Sequence, residues 1–385
     1  MPYWYWRGLK SAWAIDENTT NRFMLPEQGA ISGLWIRRYG TTATHLDNLD
    51  DIQPIQLTSK LRIVGNGNFE VVNCRGKQLH AIDYWNTGVP DPDSIVYWNG
   101  NTAAQNFFLP FGRYPGDPKY GLWLEKFAAG VEFEETNTVS TTYYTDATSK
   151  YDIYALMRKN PEASMFSGGF LRKRNIVTKD AASETQYAVK LPTNNKLRQI
   201  HLFSEPTIAS GVQSTDLFTL AQRIWLSIKS KDEFLWDNQI SGEIAKFMHR
   251  YYGRYPETDL LGGSSGNSPA INDTFIYYCV THLPVIAHAL ACYAKADVSY
   301  WLERCASTYR YNDAGEAQGS ITFYNRSRGL CLHGDIPLLM QDPMGDETEW
   351  LDAGVNKDVY VEVTEGSSSG NWYLVLDELE KQYPT

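Results

Sequence analysis

The stretch from Lys60 to Ile82 occurs twice in this chain. Displaced by 165 positions without a gap, Leu61 falls on Leu226, Ile63 on Ile228, Phe69 on Phe234 and Asn73 on Asn238. Val71 then lies over Trp236, Leu79 over Ile244 and Ile82 over Phe247, so apolar character persists where identity fails. The order of features also repeats: an alternating strand, a Gly- or charge-rich turn, a second short strand, an amphipathic helix. Leu61 and Ile63 recur at the period of a half-buried strand, and Gly65-Asn66-Gly67 tolerates the positive φ of a tight turn. Downstream the period lengthens. Ile244, Phe247, Met248 and Tyr251 stand at i, i+3, i+4 and i+7, one face of a helix. Each copy therefore reads as a β-hairpin followed by a helix laid on a sheet.

A chain of 385 residues accommodates two cores, as a duplication requires. Its 43% apolar and 14% aromatic content is that of a globular protein, and abundant Tyr, Trp and Phe favour pleated sheets and interfaces. A formal charge of −10 excludes a general phosphate-coating role, so no specific nucleic-acid partner is expected and other proteins are the expected partners. Neither a secretory signal nor an apolar run of membrane-spanning length is visible, which predicts a soluble chain made in the cytoplasm. Cys74, Cys279, Cys292, Cys305 and Cys331 include no C-x-x-C pair and read as free buried thiols.

Strands are predicted at Leu9 to Ile15, Phe23 to Leu25, Ile31 to Tyr39, Ile95 to Trp98, Gln105 to Phe111, Val131 to Thr136 and Tyr151 to Met157. A polar connection running to Gly168-Gly169 separates two halves, 1–160 and 161–385. The programme then restarts at Phe170 to Thr178, Thr185 to Leu191 and Lys196 to Phe203. The late strands correspond as well: Val131 to Thr136 lies on Val359 to Thr364, and Asp152 to Leu156 on Trp372 to Leu376. A Leu/Trp segment, Leu122-Trp123-Leu124 or Trp350-Leu351, precedes the penultimate strand of each half. The halves differ in one insertion, Gly253 to Leu332, which opens with a flexible Gly/Ser loop and includes an Ala-rich run, Val285 to Ala296, with helical composition. Short strands between Gly/Pro turns, with one helix per half, predict a mainly β fold of two packed antiparallel sheets per domain.

With the duplication, the hairpin-helix unit and the segment Leu109-Pro110-Phe111-Gly112-Arg113-Tyr114-Pro115-Gly116-Asp117-Pro118-Lys119-Tyr120-Gly121-Leu122 in view, the chain resembles the double jelly-roll major capsid proteins of tailless icosahedral viruses. That lineage spans bacterial viruses with an internal membrane and adenovirus-like viruses. The resemblance implies two tandem eight-stranded antiparallel jelly rolls, each with a short helix, and a long loop insertion at about 253–332 in the second, placed as an exposed tower. It further implies a homotrimer whose six walls form a pseudo-hexameric capsomer tiling the virion shell. Neighbouring capsomers, minor capsid or penton proteins and an internal membrane are the partners it allows. It implies neither catalysis nor a cofactor.

Sharper chemistry has candidates, each with a plainer alternative. His282 and His288 lie near Cys279 and Cys292, but at spacings matching no standard zinc arrangement, so no metal is expected. His45, His80, His201, His249 and His333 read as packing or surface residues. Glu132, Glu134 and Glu135, or Asp346, Glu347 and Glu349, supply the residue types of a glycan hydrolase, although alternation gives Glu132 and Glu134 a wetted face. A two-domain jelly-roll hydrolase or carbohydrate-binding protein is therefore one competing reading, and a minor capsid or spike protein another. Tyr3, Trp4, Tyr5 and Trp6 form the apolar cluster without an obvious core assignment. They are either a strand edge tucked on their own domain or assembly contacts to neighbouring capsomers or a membrane.

Overall fold

The computed structural model describes residues 3–16, 18–41, 54–88, 95–96, 102–138, 144, 149–162, 165–181, 185–206, 220–253, 257–265, 285–288, 291–294, 301–307, 310–311, 317–318, 320–328, 331–340, 342, 344–356, 358–367 and 369–384. Sandwich strands of the first half are β1 (Tyr3–Ala14), β2 (Thr20–Met24), β3 (Ala30–Thr41), β4 (Thr58–Gly65), β5 (Phe69–Cys74), β6 (Thr102–Pro110), β7 (Val131–Asn137) and β8 (Lys150–Lys159). Those of the second are β9 (Phe170–Asp180), β10 (Gln186–Lys190), β11 (Lys196–Pro206), β12 (Ala221–Ile228), β13 (Glu233–Ile240), β14 (Asp335–Pro337), β15 (Tyr360–Glu365) and β16 (Gly370–Glu380). Helix α1 (Gly76–Thr87) follows β5, and α2 (Ser241–Tyr252) follows β13.

Each half repeats one jelly-roll strand order. The first half has sheets β1-β8-β3-β6 and β2-β7-β4-β5; the second has β9-β16-β11-β14 and β10-β15-β12-β13. Even the irregularities recur. The β8–β3 ladder slips between Leu156↔Gly33 and Met157↔Ile31, passing over Ser32, and the β16–β11 ladder slips between Asp377↔Gln199 and Glu378↔Leu197, passing over Arg198. Since a bulge re-aims the strand that carries it, matched bulges give both sandwiches matched curvature.

The registers test the predicted duplication position by position. Both helices span the predicted displacement of 165, and each ends on a left-handed glycine, Gly88 or Gly253, where a residue without Cβ turns the chain at no steric cost. The pairing Val131 to Thr136 with Val359 to Thr364 also holds: Thr136 faces Lys60, and Thr364 faces Arg223 at the same place past a bulge. That ladder corrects the early strand, because Thr58 and Lys60 correspond to Ala221 and Arg223. Leu61 therefore matches Ile224, and Ile63 matches Leu226. The two-residue slip keeps every side chain on its face, which is why the sequence did not reveal it. The last strand is off by one, since Asp152 to Leu156 matches Tyr373 to Asp377. There Trp372, Tyr373, Leu374 and Val375 are all buried, so no alternation marks the register.

Leu34, Ile36, Phe107 and Ile153 of one sheet meet Leu61, Ile63, Val71 and Phe133 of the other, with Leu79, Ile82 and Trp85 of α1 closing the first core. The second core joins Ile200, Leu202, Trp372 and Leu374 to Ile224, Leu226, Val361 and Val363 beneath Ile244 and Met248 of α2. The first core also takes in Phe170, Phe203, Tyr373 and Val375 from beyond Gly169, together with Tyr383, so the hydrophobic boundary does not follow the connection in sequence.

Strand β5 runs parallel to β9, with Val72 beside Lys173 and Asn73 beside Arg174, fusing one sheet of each half into a single pleated surface. Buried polar groups fasten this junction. Lys173 Nζ donates to Pro110 O at 2.7 Å, and Arg172 donates twice to Glu70 O, at 2.7 and 2.9 Å. Arg198, fully buried, donates to Asp377 and, at 3.0 Å, to Asn86 Oδ1 at the end of α1. Burial pushes the Lys173 ammonium down to about 8; burial likewise opposes ionisation of Asp377, but Arg198 and Lys173 hold its carboxyl below the usual range. Gly168-Gly169 is a packed turn, not a slack tether. A Cβ at Gly169 would lie 2.0 Å from Glu380 O.

After α2 the insertion carries its own strands. Glu257–Ser265, Ser320–Arg328 and Trp301–Ser307 form an antiparallel sheet, with Ile95–Val96 added parallel to Leu260 and Leu261. The Ala-rich run expected to be helical is instead a hairpin, Val285–His288 against Ala291–Ala294. Composition is a weak prior, and strand pairing overrode it here.

Removing one member of a buried ion pair strands the other. Arg198→Ala should therefore cost about 3–5 kcal/mol of unfolding free energy in denaturant titration, whereas Lys246→Ala, on the exposed face of α2, should stay within about 0.5 kcal/mol.

Candidate assembly surfaces

Among the described residues, exposed apolar side chains cluster on two sheet edges and one helix face. At the first edge, Tyr3, Trp4, Tyr5 and Trp6 are not a detached segment: they are the opening residues of β1, paired with Lys159, Arg158, Met157 and Leu156 of β8. Their roles divide without following strand alternation, the middle two being half-buried and the outer two exposed. Trp4 packs edge-on against Phe166 at 6.1 Å beneath the Arg158 guanidinium, and Tyr5 joins the first core. Tyr3 and Trp6 face outward, Trp6 being 55% exposed.

The second edge is β13, outermost in its sheet, with Phe234, Leu235 and Ile240 exposed. Beside it, the predicted apolar face of α2 splits. Ile244 and Met248 enter the core with Ala245 and His249, but Phe247 and Tyr251 stay 43% and 48% exposed. Phe247 stacks on Tyr251, with ring centroids 6.4 Å apart, and meets Trp236 edge-on at 5.8 Å. Its counterpart in α1, Ile82, is buried in the first core, and the second half reaches that helix at other positions: Arg198 donates to Asn86, and His80 Nδ1 lies 2.8 Å from His333 Nε2.

The residues with catalytic potential are engaged elsewhere. Glu134, predicted to be wetted, is buried because Arg62 holds it at 2.6 Å and Arg22 at 3.4 Å. Glu135 points into the first sandwich, accepting from Tyr151 at 3.3 Å near Arg38; burial pushes its carboxyl up to about 7 although Arg38 opposes this. Glu347 accepts from Tyr120 at 3.0 Å and meets Lys119 and Lys381, tying the halves together; Asp346 meets the same Lys119 from an exposed position. His201 pairs with Asp335 at 2.8 Å, and His249 lies against Trp85. Cys74 and Cys331 are buried. His45 and the group Cys279, His282, His288 and Cys292 lie outside the described side chains. Among the described residues, no cluster suits a metal ion, and no helix is long and apolar enough to cross a membrane.

The junction and the Glu135 site were missed from sequence. A basic run on β9 opposite Glu70 on β5 was the one available signal for the first, and nothing local marks the second.

A carboxyl whose folded pKa is raised stabilises the fold fully below its unfolded value near 4.5, and that contribution is lost as pH climbs through about 7. Glu135→Gln should therefore flatten the stability profile between pH 4.5 and 8, and the wild type should lose up to about 3 kcal/mol over that window relative to the variant, as read by urea titrations at each pH.

No protein-family model matches this chain, and no curated protein matches it in sequence. Solved structures do. The major capsid protein of bacteriophage PM2 is 9% identical with a TM-score of 0.51, covering 98% of this chain and 97% of that one. The atomic structure of Sulfolobus Turreted Icosahedral Virus gives 10% identity and a TM-score of 0.59, with 99% and 91% covered. The crystal structure of the STIV MCP gives 10% and 0.52, with 99% and 98% covered. At such identities the likeness is one of fold, and it runs the full length: this chain is a double jelly roll of the kind built by viral major capsid proteins.

Proposed function

We propose that this chain is the major capsid protein of an icosahedral virus, assembling with copies of itself into the virion shell. The observation that carries the reading is the duplication inside one chain. Two sandwiches share strand order, bulges and helix position, so one subunit presents two similar walls. Three such subunits supply six walls, which a hexagonal packing site requires, and the capsomer is accordingly a pseudo-hexameric homotrimer. Full-length likeness to a phage major capsid protein supports this reading.

The exposed aromatic edges supply what association needs. Aromatic side chains are enriched at protein interfaces and carry much of their binding energy. Tyr3 and Trp6 on β1, with Phe234, Phe247 and Tyr251 on the opposite half, are the contacts assigned to assembly; Trp4 and Tyr5 anchor the strand that bears them. The division at about residue 160, the insertion at 253–332 as a tower on the outer face, and contacts to penton proteins or an underlying membrane belong to the same reading. The glycan-hydrolase alternative is less well supported, since its candidate carboxylates Glu134, Glu135 and Glu347 are held in structural ion pairs and hydrogen bonds.

Purified protein should have three times the chain mass by light scattering and form closed shells under electron microscopy. Trp6→Ser should weaken association while preserving the fold. A wild-type chain that remains monomeric at high concentration would refute the proposal.

A further inference from the structure

Helix α1 of the first half leads to two attachments of the insertion. Beyond the helix, Ile95–Val96 joins the insertion's sheet beside Leu260 and Leu261. Within it, His80 meets His333, which sits in the turn Leu332–Gly334 where the insertion ends and β14 begins. The second attachment depends on protons.

His80 Nδ1 and His333 Nε2 are 2.8 Å apart, with ring centroids at 5.0 Å, and the two residues are only 6% and 5% exposed. Such a contact needs one N–H and one lone pair. Neutral imidazole offers one of each, whereas imidazolium bears N–H on both nitrogens. One added proton therefore leaves a donor facing an acceptor, but two set N–H against N–H between like charges. The surroundings favour neither charge. Among the described residues, His333 Nδ1 is buried without a partner. The charged and titratable groups on the elements packed here are Lys77 and Asp83 of α1, Arg75 at its cap, Arg198, His201 and Glu205 of β11, and Asp335 of β14. Glu205 is clamped by Arg75 and Lys77 at 2.6 and 2.7 Å, Asp335 pairs with His201, Arg198 donates to Asp377 and Asn86, and Asp83 accepts from Phe108 N. Burial, then the neighbouring His80 and Lys77, hold His333 well below the usual histidine range. Its backbone is also under tension. His333 has a φ of 52°, in the left-handed region that a non-glycine residue keeps only where its surroundings hold it.

We propose that the His80–His333 contact is an acid-sensitive latch, which fastens the base of the insertion to helix α1 at neutral pH and releases it when both rings are protonated. A base whose folded pKa is lowered contributes stability that is complete above its unfolded value near 6.5 and is lost as pH falls below it. That sense is opposite to the one at Glu135. With the latch open, Ile95–Val96 still ties the insertion to the first half and the β5–β9 ladder still joins the sandwiches, so the change is local. The latch is a property of the single chain and stands whether or not copies assemble.

Hydrogen exchange of the full-length protein, followed by mass spectrometry at about pH 7.5 and about pH 5 and corrected for the intrinsic pH dependence of exchange, tests it. One ring freed to its ordinary pKa favours the open state by about thirtyfold at about pH 5, so peptides from α1 and from Cys331 to Pro337 should exchange at least about tenfold faster there, while β4 and β12 keep their protection. His80→Asn and His333→Gln each place an uncharged amide near the lost ring nitrogen. In both, the ratio between the two pH values should fall to within about twofold, whatever the starting rate. His249→Gln removes the other buried histidine beside α1, where it lies against Trp85, and should keep the wild-type ratio. A wild type without the local acid response would overturn the latch. So would a response that survives in both latch variants, one that vanishes in His249→Gln, or one shared equally by β4 and β12.

Discussion

The parallel contact of β5 with β9 is the constraint on which the rest depends. Two sandwiches joined only by a connecting segment would reorient freely, and relative motion is the default for domains in one chain. Here the sheets are continuous across the join, and Arg172, Lys173, Arg198 and Asp377 are buried in or beside it. Burying those charges is costly, and their mutual pairing offsets the cost only when both halves are in place. The same groups therefore oppose any arrangement in which the halves part. Tyr383 adds to this by returning to the first core, donating to Gly121 O and packing against Phe127 and Phe170.

Duplication explains the symmetry, and the junction explains where it breaks. Ladders, bulges and capped helices repeat because each sandwich solves one packing problem. The fifth strand and helix of the first half meet the second half, so β5 pairs with β9, Glu205 is clamped by Arg75 and Lys77, and His80 meets His333. Among the described residues, Phe234, Phe247 and Tyr251 on the corresponding strand and helix of the second half stay exposed.

What the sequence disclosed follows from the range over which each signal acts. Helix period and cap residues are local, so α1, α2 and their displacement were legible, as was the Val131/Val359 strand with its alternating Glu and Thr. The early strand was placed two residues out and the last strand one residue out, because an even slip preserves the facing pattern and a doubly buried run has none to preserve. The junction was not legible, since it pairs residues about a hundred positions apart. Glu134 looked like a surface group for a related reason: burial is set by what folds over it. The aromatic start was recognised as unusual, but its continuity with β1 shows only in the ladder to β8.

Native-state hydrogen exchange of the full chain measures the weld directly. If the β5–β9 junction unites the halves, the slowest amides of β4 and β12, deep in the two separate cores, will exchange through one common opening with the same limiting free energy and the same denaturant dependence. Two distinct limits, with one sandwich opening while the other stays protected, would contradict this architecture.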